Sequence, residues 1–234
     1  MPLTPRQARL ASELISDPAY VSGERRFKTP ITRDDAVDLA GSMHEQMDAA
    51  AEARATAATD LGKPLACGPG CSGCCEELVM IFRPEALRIA RWLKQRDNAA
   101  AKQRFLETYP TWKQRVGDTP TQIADLFGSG DEAAHEAALE AHWRRRIMCA
   151  FNQDGMCTIY PVRPLLCRNA HALETSANCY GDSPAQLVRL RLKSDELDAF
   201  VGNARSCLRA AHHAIGGPRM RPAALCDAVF ELLS

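Results

Sequence analysis

The chain lacks net charge. Its 29 lysines and arginines stand against 29 aspartates and glutamates. Such a balance gives no general attraction to nucleic acid or to an anionic membrane surface, so neither is an expected partner. Long apolar runs are missing as well. Arg6, Arg9, Glu13 and Asp17 interrupt the first twenty residues, which argues against a signal peptide. No stretch approaches the roughly 18 apolar residues of a membrane span. The expected location is the cytoplasm, where thiols stay reduced. There is no Gly-x-Ser-x-Gly elbow, phosphate loop or dinucleotide fingerprint, and no repeat or low-complexity tail. Gly68-Pro69-Gly70 follows no strand and is not a phosphate cradle. Aromatics make up only 6% of the chain while alanine is abundant, a composition that leans towards helix. With 234 residues there is enough chain to bury a real core.

Cysteine is absent from the first 66 residues and then concentrated. Four of the ten fall at Cys67, Cys71, Cys74 and Cys75, and four more at Cys149, Cys157, Cys167 and Cys179; Cys207 and Cys226 stand apart. The surrounding stretches read as helices. Val37, Leu39, Ala40, Met43, Met47, Ala50, Ala51 and Ala55 follow a three-and-four spacing over 34–60, stopped by Gly62 and Pro64. Pro84 suits a first helical turn, with Leu87, Ala90 and Leu93 on one face. Gly128-Ser129-Gly130 breaks the chain before a helix that opens on Asp131 and Glu132 and closes on Arg144, Arg145 and Arg146, as the helix dipole favours. Ser183-Pro184 offers a cap and first turn for a helix through Leu187, Leu190, Phe200, Val201, Ala204 and Leu208, broken near Ser194 and ended by Gly216-Gly217-Pro218. A short helix over 222–233 closes the chain. Only 149–160 differs: Asn152-Gln153-Asp154-Gly155 is turn chemistry and Cys157-Thr158-Ile159-Tyr160 favours extended backbone.

The first cysteine group reads Cys67-x3-Cys71-x2-Cys74-Cys75 around small and turn-forming residues, which let a short loop aim several sulfurs at one point. The second reads Cys149-x7-Cys157, then Ile159-Tyr160, Arg163-Pro164 and Cys167-Arg168, with Cys179 beyond. Structural zinc takes four ligands, commonly as cysteine pairs from two places in the chain, and iron–sulfur clusters also use thiolates. Eight cysteines in two fours satisfy either. Adjacent Cys74 and Cys75 point apart, so either two centres are present or one of the pair is a spare, reactive thiol. The three-cysteine spacing is also that of radical SAM enzymes, but those need strands alternating with helices, which this chain does not show. Arg163 and Arg168, flanking Cys167, read as cationic donors that offset the charge of a thiolate centre. Disulfides or small buried side chains are the alternative reading of the eight. For Cys207 and Cys226 burial in the core is the expectation. His171 is a lesser candidate ligand; His212-His213 is expected exposed, and His44, His135 and His142 have no partners in sequence. Met43, Met47, Trp92, Trp112 and Trp143 read as packing.

On Cys67, Cys71, Cys74-Cys75, Cys149, Cys157, Ile159-Tyr160, Arg163-Pro164, Cys167-Arg168 and, more loosely, Cys179, the chain resembles the bacterial cysteine-cluster proteins called YkgJ-like or CxxCxxCC, regarded as zinc- or iron-chelating. The likeness covers about half the chain, and it departs in having three residues between the first two cysteines. Its relatives include a flagellin lysine methylase, but no SAM-binding pattern is recognisable here. The resemblance implies a metal centre and leaves its use open.

The expectation is a mainly α protein with a small irregular or hairpin metal-binding insert held by its metal. The segments are an N-terminal helical part over 1–62, a cysteine-cluster part with a helical insert over 63–182, and C-terminal helices over 183–234. The expected cofactor is zinc or iron, including an iron–sulfur centre, with a protein partner or substrate as the further partner class. A structural or binding role stands beside a redox or protein-modifying enzyme.

Overall fold

The computed structural model describes residues 27, 30–68, 70–127, 129–175, 179, 195–216 and 221–234, with the side chains of 195–198 left aside. The protein is mainly helical, with eight α-helices and a few two-residue strands among these residues. Helix α1 is Arg33–Asp60. Thr32 caps it by accepting from the Asp35 amide, while the Asp35 carboxylate accepts from the Thr32 amide at 2.8 Å. This reciprocal pair satisfies two donors that a helix start leaves open. Gly62, at φ 73°, ends the run as its sequence suggests.

Strand β1, Met80–Ile81, leads into α2, Arg83–Leu93, with Pro84 in the first turn. Ile89 rather than Leu87 lies on the buried face with Ala86, Ala90 and Leu93. Within the expected helical insert follow two helices whose bounds the sequence does not mark, α3 (Ala99–Val116) and α4 (Thr119–Leu126). Gly117, at φ 59°, separates them. Helix α5, Glu132–Arg144, is capped by the Asp131 carboxylate and ends two residues earlier than the arginine run suggests. Arg146 has already turned left-handed, at φ 49°.

The 149–160 insert contains a hairpin. Strand β2 (Asn152–Gln153) pairs antiparallel with β3 (Met156–Cys157) through the turn residues Asp154 and Gly155, both at positive φ. Two central residues of that kind are what a tight twisted hairpin requires. The extended run predicted past Cys157 stops early, because 160–162 forms a single 3-10 turn. Helix α6, Leu165–Arg168, is one turn long. Helix α7 is Asp195–Ala214. The predicted start at Ser183-Pro184, Leu187 and Leu190, the break at Ser194, the stop at Gly217-Pro218 and the N-terminal twenty residues lie outside the described residues. In place of a helix from Pro222, strand β4 (Ala223–Ala224) pairs with β1, and α8 (Leu225–Leu233) follows.

Two apolar clusters form the interior. One joins α1, α7, Phe82 and Leu165, and contains Met43, Met47 and Cys207. The other joins β1, α2, α3, α4 and α8 with Ile147, Phe151, Ile159 and Val162 from the second cysteine segment, and contains Trp112 and Cys226. The C-terminal residues thus serve both clusters. Among the described residues no helix is long and apolar enough to cross a membrane.

A candidate metal centre

Three stretches of chain carry the cysteines to one place. The first is the loop after α1. Its entry pairs with the chain beyond α6: Leu65 bridges Leu173, the Ala66 amide donates to the Ala172 carbonyl at 2.9 Å, and the Glu174 amide donates to Pro64 at 2.8 Å. This pairing sets Cys67, whose sulfur accepts from the Ala172 amide at 3.2 Å. A 3-10 turn over Gly73–Glu76 then presents Cys74 and Cys75. Arg146 holds its end by an ion pair to Glu76 at 2.7 Å while lying 3.8 Å over the Trp143 ring.

The second stretch follows α5. The Cys149 amide donates to the Cys75 carbonyl at 2.8 Å, which fastens it to the first loop. Phe151 stacks on Phe105 with centroids 4.0 Å apart, and the hairpin presents Cys157. Gly155 approaches Gly70 so closely that an added Cβ would lie 3.1 Å from its carbonyl oxygen. Cys167 lies in α6, whose first amide, that of Leu165, donates to the buried Glu85 carboxylate at 2.8 Å. Glu85 also bonds His44 Nε2 at 3.1 Å. The third piece is Cys179, packed against Gly73: a Cβ on Gly73 would fall 2.4 Å from that of Cys179. No side chain fits there, so glycine is required.

Cys67, Cys71, Cys74, Cys75, Cys149, Cys157 and Cys167 line one cavity of about 520 Å³. Val79, Phe151, Ile159 and Leu225 supply apolar wall. All ten cysteines of the chain are free thiols, so the disulfide reading is not what the structure adopts. Among the described residues no three Cys, His, Asp or Glu side chains already stand close enough together to hold one metal ion. The thiols line the space without converging on a point.

Five of the eight clustered thiols are held towards their protonated form. Cys149 is held well above the ordinary thiol range by its hydrogen bond with Cys226 and by burial. Burial, then the neighbouring thiols Cys74, Cys149 and Cys157, does the same to Cys167. Cys157 is pushed up to about 11, chiefly by burial. Cys179 is pushed up to about 12 by burial and by Cys71, Cys67 and Cys74. Cys67 is raised, again mainly by burial. Uncharged thiols have no electrostatic reason to draw together, and a cation would have to displace their protons.

Arg163 lies where its sequence position suggests. It lines the cavity, stacks 4.2 Å over Tyr160, and its charge favours the thiolates of Cys157 and Cys167. Arg168 differs from expectation. Its Nε donates to the Arg163 carbonyl at 2.8 Å, one terminal nitrogen donates to the Pro161 carbonyl at 2.9 Å, and the other pairs with Asp48. It is a buried clamp fastening the Cys167 turn to α1, its planar fork spent on two backbone carbonyls and one carboxylate.

Other residues also depart from the sequence reading. Cys226 is buried, as expected, but its sulfur lies 3.7 Å from that of Cys149. Nothing in sequence signals this, since the pairing of β1 with β4 brings them together across 77 positions. His212 is buried, not exposed, and accepts from the Arg83 amide at 3.1 Å at the start of α2. Three polar atoms of cavity-lining residues are buried without a hydrogen-bond partner: Arg163 Nε, His171 Nδ1 and Asn152 Nδ2. Orphaned groups of this kind are costly unless something else satisfies them. Burial also lowers the pKa of His171, keeping it neutral and able to accept or ligate.

No family model, no curated protein and no solved structure matches the chain.

Proposed function

We propose that the protein binds a thiophilic metal, zinc or iron, through the cysteines of this cavity, as its resemblance to the YkgJ-like cysteine-cluster proteins implies. The observation that carries the reading is the convergence of seven free thiols from separate segments on one cavity. The donor set suits such an ion: thiolates are the preferred ligands of zinc and of iron–sulfur centres, and the orphaned Arg163, His171 and Asn152 atoms supply polar partners beside it. Loading must draw the sulfurs inward, since a Zn–S distance near 2.3 Å sets ligand sulfurs about 3.8 Å apart. The bound ion would neutralise thiolate charge and cross-link the stretches. The chain's own residues hold the ligands and, through Arg163, offset the remaining negative charge. A reducing compartment such as the cytoplasm belongs to the proposal, because it keeps the thiols free.

An iron–sulfur centre is the second reading, favoured by a cavity roomier than one four-coordinate ion needs. A redox or protein-modifying activity would then use the exposed side of that centre. Met156 and Tyr160, large, exposed and lining the cavity, are where a protein partner or substrate would first touch it. Metal and sulfide analysis of anaerobically purified protein tests these readings. Zinc in a colourless protein supports the first, and iron with sulfide and broad visible absorption the second. A folded protein that takes up neither metal refutes both.

A further inference from the structure

One sulfur of the cavity wall has a second sulfur behind it. Cys149 lines the cavity and is partly exposed, whereas Cys226 is 2% exposed and is not among the lining residues. Their sulfurs lie 3.7 Å apart. The contact joins a residue after α5 to one in the first turn of α8, 77 positions further on.

Backbone and core hold both ends. The Cys149 amide donates to the Cys75 carbonyl at 2.8 Å, and the Cys149 carbonyl accepts from the Asn152 amide at 2.9 Å. On the other side β4 pairs with β1, and the Leu225 amide donates to the Val79 carbonyl at 2.8 Å. Ala150, Phe151, Ala224 and Leu225 share one apolar cluster with Cys226, and Cys149 packs against it. The two sulfurs therefore meet as a feature of the packing. A disulfide sets its sulfurs about 2.05 Å apart. Closing 3.7 Å to that length moves them by about 1.7 Å in total, within reach of rotation about the two Cα–Cβ bonds.

We propose that Cys149 and Cys226 are a reversible redox pair, in which oxidation joins them by a disulfide and turns the Cys149 sulfur out of the cavity towards the core. The consequence for metal rests on the binding reading above: bonded to Cys226, Cys149 is no longer a thiolate donor, and the oxidised protein holds the ion less tightly. The oxidant is a small aliphatic disulfide. The Cys149 sulfur attacks one of its sulfurs, the S–S bond breaks, and one half departs as a thiol that carries the Cys149 proton. The Cys226 sulfur then attacks the Cys149 sulfur of this mixed disulfide, and the second half departs as a thiol that carries the Cys226 proton. Two electrons pass from the protein to the small disulfide, and excess small thiol reverses both steps. Burial makes the exchange slow, so the state of the pair is read at equilibrium. In a reducing compartment the disulfides that do form are typically transient, redox-sensing ones of this kind.

The test is equilibration of the reduced, metal-free full chain in buffers of cystamine and cysteamine of graded ratio. Peptide mapping without reduction should find the Cys149 peptide linked to the Cys226 peptide. After removal of the small thiols, cobalt(II) titration, read by thiolate-to-cobalt charge-transfer absorption, should show an affinity at least about tenfold lower for the linked protein, restored by excess dithiothreitol. In the buffer that links half of the wild type, Cys226→Ala should keep Cys149 as a thiol and bind cobalt as the reduced wild type does, because it has no intramolecular partner to displace cysteamine. Far-ultraviolet circular dichroism checks its fold, and should it not fold, the linkage map of the wild type decides. Cys149 left as a thiol or joined to another cysteine overturns the pair. Equal cobalt affinity in linked and reduced protein, or an equal loss in oxidised Cys226→Ala, overturns its control of the cavity. Reduced wild type that binds no cobalt refutes instead the metal-binding reading, and the linkage map still decides the pair.

Discussion

The two cysteine segments are held in different ways. Between residues 64 and 75 the only buried residue among those described is Gly73, and the segment is positioned by backbone pairing to 172–174 and by the Glu76–Arg146 ion pair next to it. Between 147 and 168, by contrast, Ile147, Phe151, Ile159, Val162 and Leu165 are all buried in the apolar clusters. Burying such a side chain contributes roughly 1.5–3 kcal/mol. The second segment is therefore anchored by apolar packing as well, whereas its sequence suggests an insert held by metal. The first loop is the half for which a bound ion would matter most.

The largest expected effect separates the two directly. Phe151→Ala should destabilise the metal-free protein by about 3–5 kcal/mol, because it empties a site stacked on Phe105. Cys67→Ser, at an exposed position, should stay within about 0.5 kcal/mol. Urea denaturation of both metal-free variants measures the difference, and a Cys67→Ser loss as large as that of Phe151→Ala would erase the contrast.

The arginines sharpen it. Arg168→Ala should cost about 1–3 kcal/mol of stability by leaving the Arg163 and Pro161 carbonyls without their donor, with lysine rescuing only part. Arg163→Ala should instead weaken metal binding by about 10- to 100-fold at unchanged helix content. Chelator competition and thermal unfolding on both variants tell them apart, and identical behaviour would contradict the placement.

Acid should act on the scaffold beside the second segment. His142, near the end of α5, is lowered to about 4 by burial and then by the charge of Arg145. The unfolded chain therefore takes up this proton first as pH falls below about 6.5. Stability from this group is present above that value and lost down to about pH 4. His142→Leu should flatten the slope in that window, and an unchanged slope would show that other groups carry it. The smallest expected effect is at Cys207, buried among α1 and α7 away from the cavity: Cys207→Ser should leave metal content unchanged.

What was legible in sequence is what local chemistry controls. The stop of α1 at Gly62, the Pro84 start of α2, the Asp131 cap and the Asp154-Gly155 turn all follow from residues acting on their own backbone. The gathering of the cysteines was foreshadowed by their clustering. The places of Arg168 and Cys226 were not, because each depends on partners far along the chain: Asp48 lies 120 positions from Arg168 and Cys149 lies 77 from Cys226. The burial of Phe151 and Ile159 was hidden likewise, since short turn-rich segments show no apolar period.

The central claim is that the cavity thiols bind metal, and the most direct measurement is the metal content of the full chain purified anaerobically, for wild type and Cys157→Ser. Zinc or iron in stoichiometric amount in the wild type, lowered in the variant at equal helix content, is the predicted result. Wild-type protein that is folded, reduced and metal-free, and that remains so after incubation with zinc or ferrous iron, would contradict the account.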